Sequence, residues 1–208
     1  MNKKEAIIPI SYFSPISHIV IMHQYDTKIE LKENYQKRSF RNKCRILGAN
    51  GILDLSIPLL KGKTNSRIED VGISYSQDWI SNHLASIRSG YGTSPYFEFY
   101  YYKIENILKH RYPYLLDLSL ATFEFLVEAK IISDFNFTKV YQKILTNENL
   151  DLRNNIHDNV FNIPSYSQVF EDKFGFVSDL SILDLLFNLG PESLHIINTS
   201  TVNSITRE

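Results

Sequence analysis

The stretch AIIPISYFSPISHIVIMHQYDTKIELKE, residues 6–33, decides the fold. It opens with the apolar run 6–10, which is typical of a short buried strand, and continues through a turn-rich segment at 11–17. Residues 18–26 then predict a helix, and residues 27–33 alternate polar with apolar side chains as a half-buried strand does. The order strand, loop, helix, strand is that of a parallel α/β unit. We therefore predict an α/β fold with a mixed or mostly parallel sheet and helices packed on it.

The rest of the chain predicts more strands and helices around this unit. Strands are predicted at the end of the basic segment described below and at 52–60, 67–75 and 135–144. Helices are predicted at 76–92, 94–110, 113–132 and 181–190. The polar, Asn-rich stretch 147–168 predicts a long excursion. We favour a nucleotidyltransferase-like Rossmann arrangement, in a single domain at 1–198 followed by a flexible tail at 199–208.

Composition and charge limit the class of protein. The chain has 208 residues, a formal net charge of −1 and one cysteine, Cys44. The near-neutral charge argues against a general nucleic-acid-binding protein. One thiol cannot form an internal disulfide, which suits a reducing compartment. No apolar run reaches the roughly 18 residues of a membrane-spanning helix. We expect a cytoplasmic protein with no membrane span and no nucleic-acid partner.

Positive charge is concentrated in residues 33–45, ENYQKRSFRNKCR, which contain five Lys or Arg residues and one acid. Arginine presents a rigid fork of donors that matches phosphate and carboxylate groups, and Asn42 adds an amide next to Arg41. In an extended strand Arg41, Lys43 and Arg45 would share one face. The segment therefore predicts a grip for an anionic ligand. The alternative is a strand edge protected by charge.

A second candidate lies in the predicted helix 76–92. Trp79 and His83 are four residues apart, so they share one helix face. A histidine beside a tryptophan can serve as a general base or stack on a ligand. The more common arrangement is a partly buried histidine held by hydrogen bonds. A nucleophilic Cys44 paired with His83 is a further alternative, although a lone cysteine among strand residues is more often a small apolar side chain.

The third candidate is the loop that contains Tyr12 and ends near His18. Doubly wound folds bind ligands between a strand and the start of the next helix. The glycines form neither the dinucleotide-binding fingerprint nor a P-loop. The histidines and carboxylates lack the spacing of a metal site, so we expect no metal.

Three blocks of the sequence resemble the WbqC-like protein family. They are ENYQKRSFRNKCRI with the GANG turn that follows it, residues 70–100 (DVGISYSQDWISNHLASIRSGYGTSPYFEFY) and residues 166–193 (YSQVFEDKFGFVSDLSILDLLFNLGPES). The resemblance extends from about Ile8 to Leu194, in family order. It implies a link to bacterial O-antigen and related surface polysaccharides. It also implies transfer of an acyl or glycine-type aminoacyl group to an amino sugar.

The residue patterns and the resemblance together give one set of site candidates. The catalytic candidates are His83 and Lys37, and the substrate-binding candidates are Arg41, Asn42, Tyr35, Gln36, Trp79, Tyr91, Tyr96, Tyr12, His18 and Arg153. One departure from the family follows DLRN at 151–154, where relatives continue toward a Pro-Lys pair and this chain has NIHDNVFNI. A lysine that contacts substrate in relatives would therefore be missing here.

These candidates predict a transferase that acts on the amine of a nucleotide-linked amino sugar. Lys37 and Arg41 would bind phosphate, while Asn42 would orient the sugar or the acyl carbonyl. His83 would accept the proton of the attacking amine. The expected ligands are an anionic sugar nucleotide and an activated acyl donor, with no other cofactor.

Two other functions stay open. One is a nucleotidyl-transferring or adenylating enzyme that uses the Tyr12–His18 loop. The other is a non-catalytic adaptor in a glycan assembly complex. We expect the protein partners to be a second copy of the chain or glycan assembly enzymes.

Overall fold

The computed structural model describes residues 4–60, 66–141, 150–153 and 161–203. Within these residues the α-helices are α1 (Ile16–Gln24), α2 (Trp79–Tyr91), α3 (Phe97–Lys109), α4 (Leu115–Glu128), α5 (Glu171–Phe174), α6 (Ile182–Leu189) and α7 (Ser193–Thr199). The strands are β1 (Glu5–Pro9), β2 (Asp26–Glu30), β3 (Lys43–Gly48), β4 (Gly51–Ser56), β5 (Asn136–Phe137), β6 (Leu150–Asp151), β7 (Phe161–Asn162) and β8 (Thr201–Val202).

Four strands form one parallel sheet in the order β5, β2, β1, β6. β1 pairs with β2 along its whole length, from Glu5 opposite Asp26 to Pro9 opposite Glu30. Counted along the chain, the order is 3-2-1-4, as in the first four strands of doubly wound sheets. The predicted α/β fold with a mostly parallel sheet and packed helices is confirmed. The nucleotidyltransferase-like Rossmann arrangement stays a prediction.

The predicted strand–loop–helix–strand unit is β1, α1 and β2. β1 is buried from Ala6 to Pro9, and six consecutive side chains of α1, residues 16–21, are buried as well. A helix that is covered on all sides lies inside a protein, and α1 packs against α6 and α7. The unit therefore lies at the centre of the molecule, which places the loop between β1 and α1 in the interior.

The strands predicted at the end of the basic segment and at 52–60 are present as β3 and β4, which pair in an antiparallel hairpin. The strand prediction at 67–75 is wrong. That segment forms a 3-10 turn at Ile68–Asp70 and three isolated bridges, Asn34–Arg67, Leu59–Ile73 and Gly72–Tyr114. Its alternating pattern reflects side chains that are buried one at a time against different partners, without a neighbouring strand that runs beside the whole segment.

The four helices predicted after the first strand–loop–helix–strand unit are all present, as α2, α3, α4 and α6. Asp78 caps α2 by accepting a hydrogen bond from the Ser81 N–H, and Ser181 caps α6 through Leu183 N–H. α6 ends at Gly190, whose φ of 54° lies in the left-handed region that glycine adopts without strain. The ring of Tyr96 lies where a β-carbon at this position would be, so a second constraint favours glycine here.

Some predictions fall on residues outside the described ranges. The strand predicted at 135–144 is present as β5, and 142–144 lie outside the description. Residues 147–149 and 154–160 of the predicted excursion 147–168, and the end of the predicted tail, 204–208, also lie outside it. Among the helices that the structure describes, none is both long enough and apolar enough to cross a membrane.

Candidate functional site

Polar and charged side chains converge at the carboxyl ends of the parallel strands. Glu30 ends β2, Arg153 comes two residues after β6, and Ser11 comes two residues after β1. Strand order reverses between β1 and β6, because the chain first builds the sheet on one side of β1 and then returns to the other. Ligands of open α/β sheets bind at this reversal. The carboxyl edge at β1 and β6 is therefore the place where the topology predicts a site.

A buried ionic network fills part of this edge. Arg41 donates two hydrogen bonds to Glu33, Nε to Oε1 at 2.7 Å and Nη2 to Oε2 at 2.6 Å. Arg153 donates two to Asp151 at 2.9 and 2.7 Å and one to Glu30 at 3.2 Å. Arg41 also donates to the main-chain oxygen of Arg153 at 3.0 Å. The three ion pairs therefore form one connected unit.

The network does not have the excess of positive charge that was predicted for an anion-binding site. Three carboxylates, those of Glu30, Glu33 and Asp151, face two guanidinium groups, so Arg41 and Arg153 are already neutralised by the protein. Arg41 also lies before β3 begins at Lys43. The prediction that Arg41 shares a strand face with Lys43 and Arg45 is therefore wrong, because Arg41 turns inward to meet Glu33.

His18 lies beside this network at the start of α1. Its Nδ1 lies 3.2 Å from the hydroxyl of Ser11, which is itself 2.7 Å from the hydroxyl of Ser14. Within the described residues its Nε2 has no hydrogen-bond partner, although the ring is fully buried. Burial, with a smaller contribution from Arg41, lowers the pKa of His18 to about 3, so the ring is neutral at physiological pH.

The backbone beside His18 is strained. Phe13, in the loop between β1 and α1, has a φ of 39°, which is unusual for a side chain of this size. The hydroxyl of Ser181 donates to the Phe13 main-chain oxygen at 2.7 Å and holds the residue in place. Strained residues are concentrated at ligand and active sites. The strain therefore adds an observation in favour of this loop that is independent of its charges.

The other cations of the basic segment lie outside the buried ionic network. Lys37 and Gln36 are exposed. Lys43 and Arg45 both pair with Asp54 and lie over the ring of Phe40, each 5.9 Å from its centre.

Tyr35 and Asn42 hold the basic segment together. The Tyr35 hydroxyl donates to Asn42 Oδ1 at 2.9 Å, and Asn42 Nδ2 donates to the Ile57 main-chain oxygen at 3.0 Å. Both polar groups of the Asn42 amide therefore have partners within the protein. In this conformation they fix the segment against Ile57, the residue that follows β4.

His83, Tyr12 and Trp79 form a separate buried cluster. The Tyr12 hydroxyl lies 3.1 Å from His83 Nδ1, the His83 ring also hydrogen-bonds the main chain of Ser56, and Trp79 packs edge-on at 5.0 Å. Burial lowers the pKa of His83 to about 4. The four-residue spacing thus correctly predicted the contact between Trp79 and His83. The His83 ring has the more common arrangement of such a histidine, because it is buried and held by two hydrogen bonds.

Tyr91 and Tyr96 belong to the interior near α6. The Tyr91 hydroxyl accepts a hydrogen bond from Leu47 N–H at 3.1 Å, and its ring packs on Phe187 at 5.0 Å. Tyr96 is half-buried against Gly190. Neither tyrosine has a described contact with the ionic network, so the structure does not bring them together with Arg41 and His18.

Several residues of the site were not predicted from the sequence. Glu30, Glu33 and Asp151 are the acids that neutralise the arginines, and Thr138 donates to Glu30 Oε1 at 2.7 Å. Ser11 positions His18. The sequence contained a signal for Glu30. This residue stands between the apolar Ile29 and Leu31 in a predicted strand, and a charged residue in a buried position needs a partner of opposite charge.

The described residues of the site are suited neither to binding a metal ion nor to forming a reactive thiolate. Within the described ranges no group of three or more His, Cys, Asp or Glu side chains could hold a metal ion. Cys44 is buried, and burial raises the pKa of its thiol far above the ordinary value. A cysteine that stays protonated is a poor nucleophile, which argues against the alternative of a Cys44–His83 pair.

The order of the parallel strands and the polar cluster at their carboxyl edge define an α/β protein with a candidate small-molecule site. The model of the WbqC-like protein family matches residues 10–161, well over half of the chain. The chain therefore belongs to the WbqC-like protein family. The block at 166–193 lies beyond the matched residues. No curated protein and no solved structure shows a significant match to the chain.

Proposed function

We propose that the protein is a group-transfer enzyme of bacterial surface-polysaccharide (O-antigen) biosynthesis and binds a nucleotide-linked amino sugar at the carboxyl edge of its parallel sheet. The observation that carries this proposal is the position of His18. An imidazole with an unpartnered nitrogen lies beside a guanidinium group at the reversal of strand order. Family membership supports the biosynthetic context.

The cations have different roles in this proposal. Lys37 is exposed, so it meets the phosphates of an arriving ligand first. Arg41 lies deeper and offers the rigid fork that suits a phosphate. His18 is neutral, so it contributes a hydrogen bond to the ligand and does not carry charge. Tyr35 and Asn42 keep the segment in the shape that presents these groups.

In the first candidate reaction an acyl or aminoacyl group moves to the sugar amine. A bond forms between the acyl carbon and the amine nitrogen, the bond to the donor breaks, and the amine proton leaves to a base or to solvent. His83 was predicted to be that base. Its low pKa and its two hydrogen bonds make it a weak proton acceptor in this conformation, so the role stays a prediction that mutation tests.

The second candidate reaction is nucleotidyl transfer, and the same pKa values favour it. Transfer of a phosphoryl-type group depends mainly on positioning and on stabilisation of negative charge, with little need for a side-chain base. The two neutral buried histidines fit a reaction that needs no side-chain base, and the exposed Lys37 would supply positive charge for the phosphates. This reaction releases pyrophosphate from a nucleoside triphosphate, whereas acyl transfer from an activated donor does not.

A thermal-shift screen tests the proposal. The panel contains nucleotide sugars, the corresponding free sugars, nucleoside diphosphates, ATP and acyl-coenzyme A. A ligand at a hundred times its dissociation constant stabilises a protein by about 2.7 kcal/mol. We expect a shift with the nucleotide-linked compounds and none with the free sugars. Pyrophosphate release with the bound ligand then separates the two reactions.

Lys37→Gln tests the proposed contact between Lys37 and the phosphates of the ligand. Lys103→Gln is its control, because both lysines are exposed. Loss of a hydrogen bond to a charged group costs roughly 1.5–3 kcal/mol, or about 10–100-fold in affinity. We expect this loss for Lys37→Gln and none for Lys103→Gln. Wild-type protein that shifts with none of the compounds, and that instead retains a partner glycosyltransferase in a pull-down, would establish the adaptor function.

A further inference from the structure

The carboxylate of Glu33 occupies the place on Arg41 that an anionic ligand would take. Nε and Nη2 of Arg41 meet the two oxygens of Glu33 at 2.7 and 2.6 Å. This is the two-point geometry with which arginine binds phosphate and carboxylate ligands. Both side chains are buried, so the pair is not one of the weak ion pairs of a protein surface.

The pair can separate without loss of the anchors on either side. The main chain of Glu33 is held by a hydrogen bond from Ile68 N–H at 3.1 Å, independently of its carboxylate. Arg41 keeps its bond to the main-chain oxygen of Arg153 at 3.0 Å. Rotation of the Glu33 side chain would therefore release the guanidinium while leaving it oriented toward the site.

From these contacts we infer that Glu33 is a specificity-determining residue that competes with the ligand for Arg41 and so selects diphosphates over singly charged anions. This inference rests on the proposed function. Exchange of the Glu33 carboxylate for a singly charged carboxylate or phosphate diester replaces one ion pair by an equal one and gains little. A diphosphate brings more charge and more acceptor oxygens, so the exchange favours it.

Displacement also couples ligand binding to proton uptake. The charged groups that face the Glu33 carboxyl are Arg41, Glu30 and Arg153. Burial already raises the pKa of Glu33, and Arg41 is the main group that opposes this increase. Once the ligand has replaced Glu33 on Arg41, the carboxyl has lost its guanidinium partner, stays buried near Glu30 and takes up a proton. Wild-type protein should therefore bind diphosphates more tightly as the pH falls.

Titration calorimetry with nucleoside diphosphates and with the methyl esters of the matching nucleoside monophosphates, which are singly charged phosphate diesters, tests the inference. Wild-type protein, Glu33→Gln and the control Glu69→Gln are compared in two buffers that differ in ionisation enthalpy. Glu69 is a suitable control because it pairs with Lys32 and Arg67 at the surface. We expect proton uptake in wild type and in Glu69→Gln but not in Glu33→Gln. Glu33→Gln should bind the diphosphates roughly 10-fold tighter, since a charged hydrogen bond no longer competes, and should discriminate less against the singly charged diesters.

The outcomes separate this inference from the proposed function. Wild-type binding without proton uptake, or equal or weaker binding by a folded Glu33→Gln, overturns the competitor role and leaves the proposed function in place. If neither protein binds any diphosphate, both fail. Should Glu33→Gln not fold, Glu33→Asp replaces it: the shorter acid reaches Arg41 less well, so tighter binding than wild type supports the inference and weaker binding contradicts it.

Discussion

Arg153→Met tests whether the ionic network at the carboxyl edge holds the fold together. The Arg153 guanidinium is buried and donates to Asp151 and to Glu30 Oε2. Its removal leaves Glu30, which is fully buried, with Thr138 and the Lys32 N–H, both of which donate to Oε1 at 2.7 Å. Breaking a buried ion pair from one side costs about 3–5 kcal/mol. Because one oxygen stays bonded, we expect a loss near 3 kcal/mol.

Urea unfolding followed by circular dichroism measures this loss. Arg67→Met is the matched control, because Arg67 pairs with Glu69 at the surface and its removal should cost less than about 1 kcal/mol. The double variant Glu30→Gln/Arg153→Met should recover a substantial part of the loss, since no uncompensated charge is then buried. An Arg153→Met protein within 1 kcal/mol of wild type, or a double variant with additive losses, would show that the reasoning is wrong.

Three further predictions concern other parts of the molecule. His83→Gln should lower the free energy of unfolding by about 1–3 kcal/mol through its lost buried hydrogen bonds and leave turnover per folded molecule unchanged; a roughly 10²–10⁴-fold slower reaction would establish the base role instead. Gly190→Ala should cost about 1–3 kcal/mol because the new β-carbon meets Tyr96 at a positive φ, whereas Gly48→Ala, whose β-carbon would make an ordinary van der Waals contact with the Gly51 main-chain oxygen, should cost much less in the same urea titration. Burial raises the pKa of Asp184, so the folded state holds this proton to a higher pH than the unfolded state; wild type should therefore lose stability relative to Asp184→Asn as the pH rises from roughly 4, and a difference in urea midpoint that stays constant with pH would contradict this.

The parallel unit could be predicted because its signals are local. β1 and α1 are apolar runs with turn residues between them, and β2 alternates. The error at 67–75 arose from the same kind of evidence, because alternation records which side chains are buried and does not record what covers them. Pairing of a strand needs a neighbour, and a neighbour distant in the chain leaves no local mark.

The candidate site was predictable in its cations but not in their partners. The sequence marks Arg41 as part of a basic segment, whereas Glu33 stands at the edge of that segment as its one acid. Glu30 and Arg153 are 123 residues apart along the chain. Only the parallel pairing of β1 with both β2 and β6 brings their strand ends together. A charge pattern read along the chain therefore overstates the free positive charge of a site whose acids come from other strands.

Phe40 links two candidates that the sequence presents as separate. One side of its ring meets His18, edge-on at 6.4 Å, and Lys43 and Arg45 lie over it at 5.9 Å. Its main-chain oxygen accepts a hydrogen bond from Tyr12 N–H at 3.0 Å, which ties the basic segment to the loop after β1. The contacts of one half-buried ring and the hydrogen bond of its main chain therefore connect the basic segment with the Tyr12–His18 loop, although the charge pattern and the loop position are separate signals in the sequence.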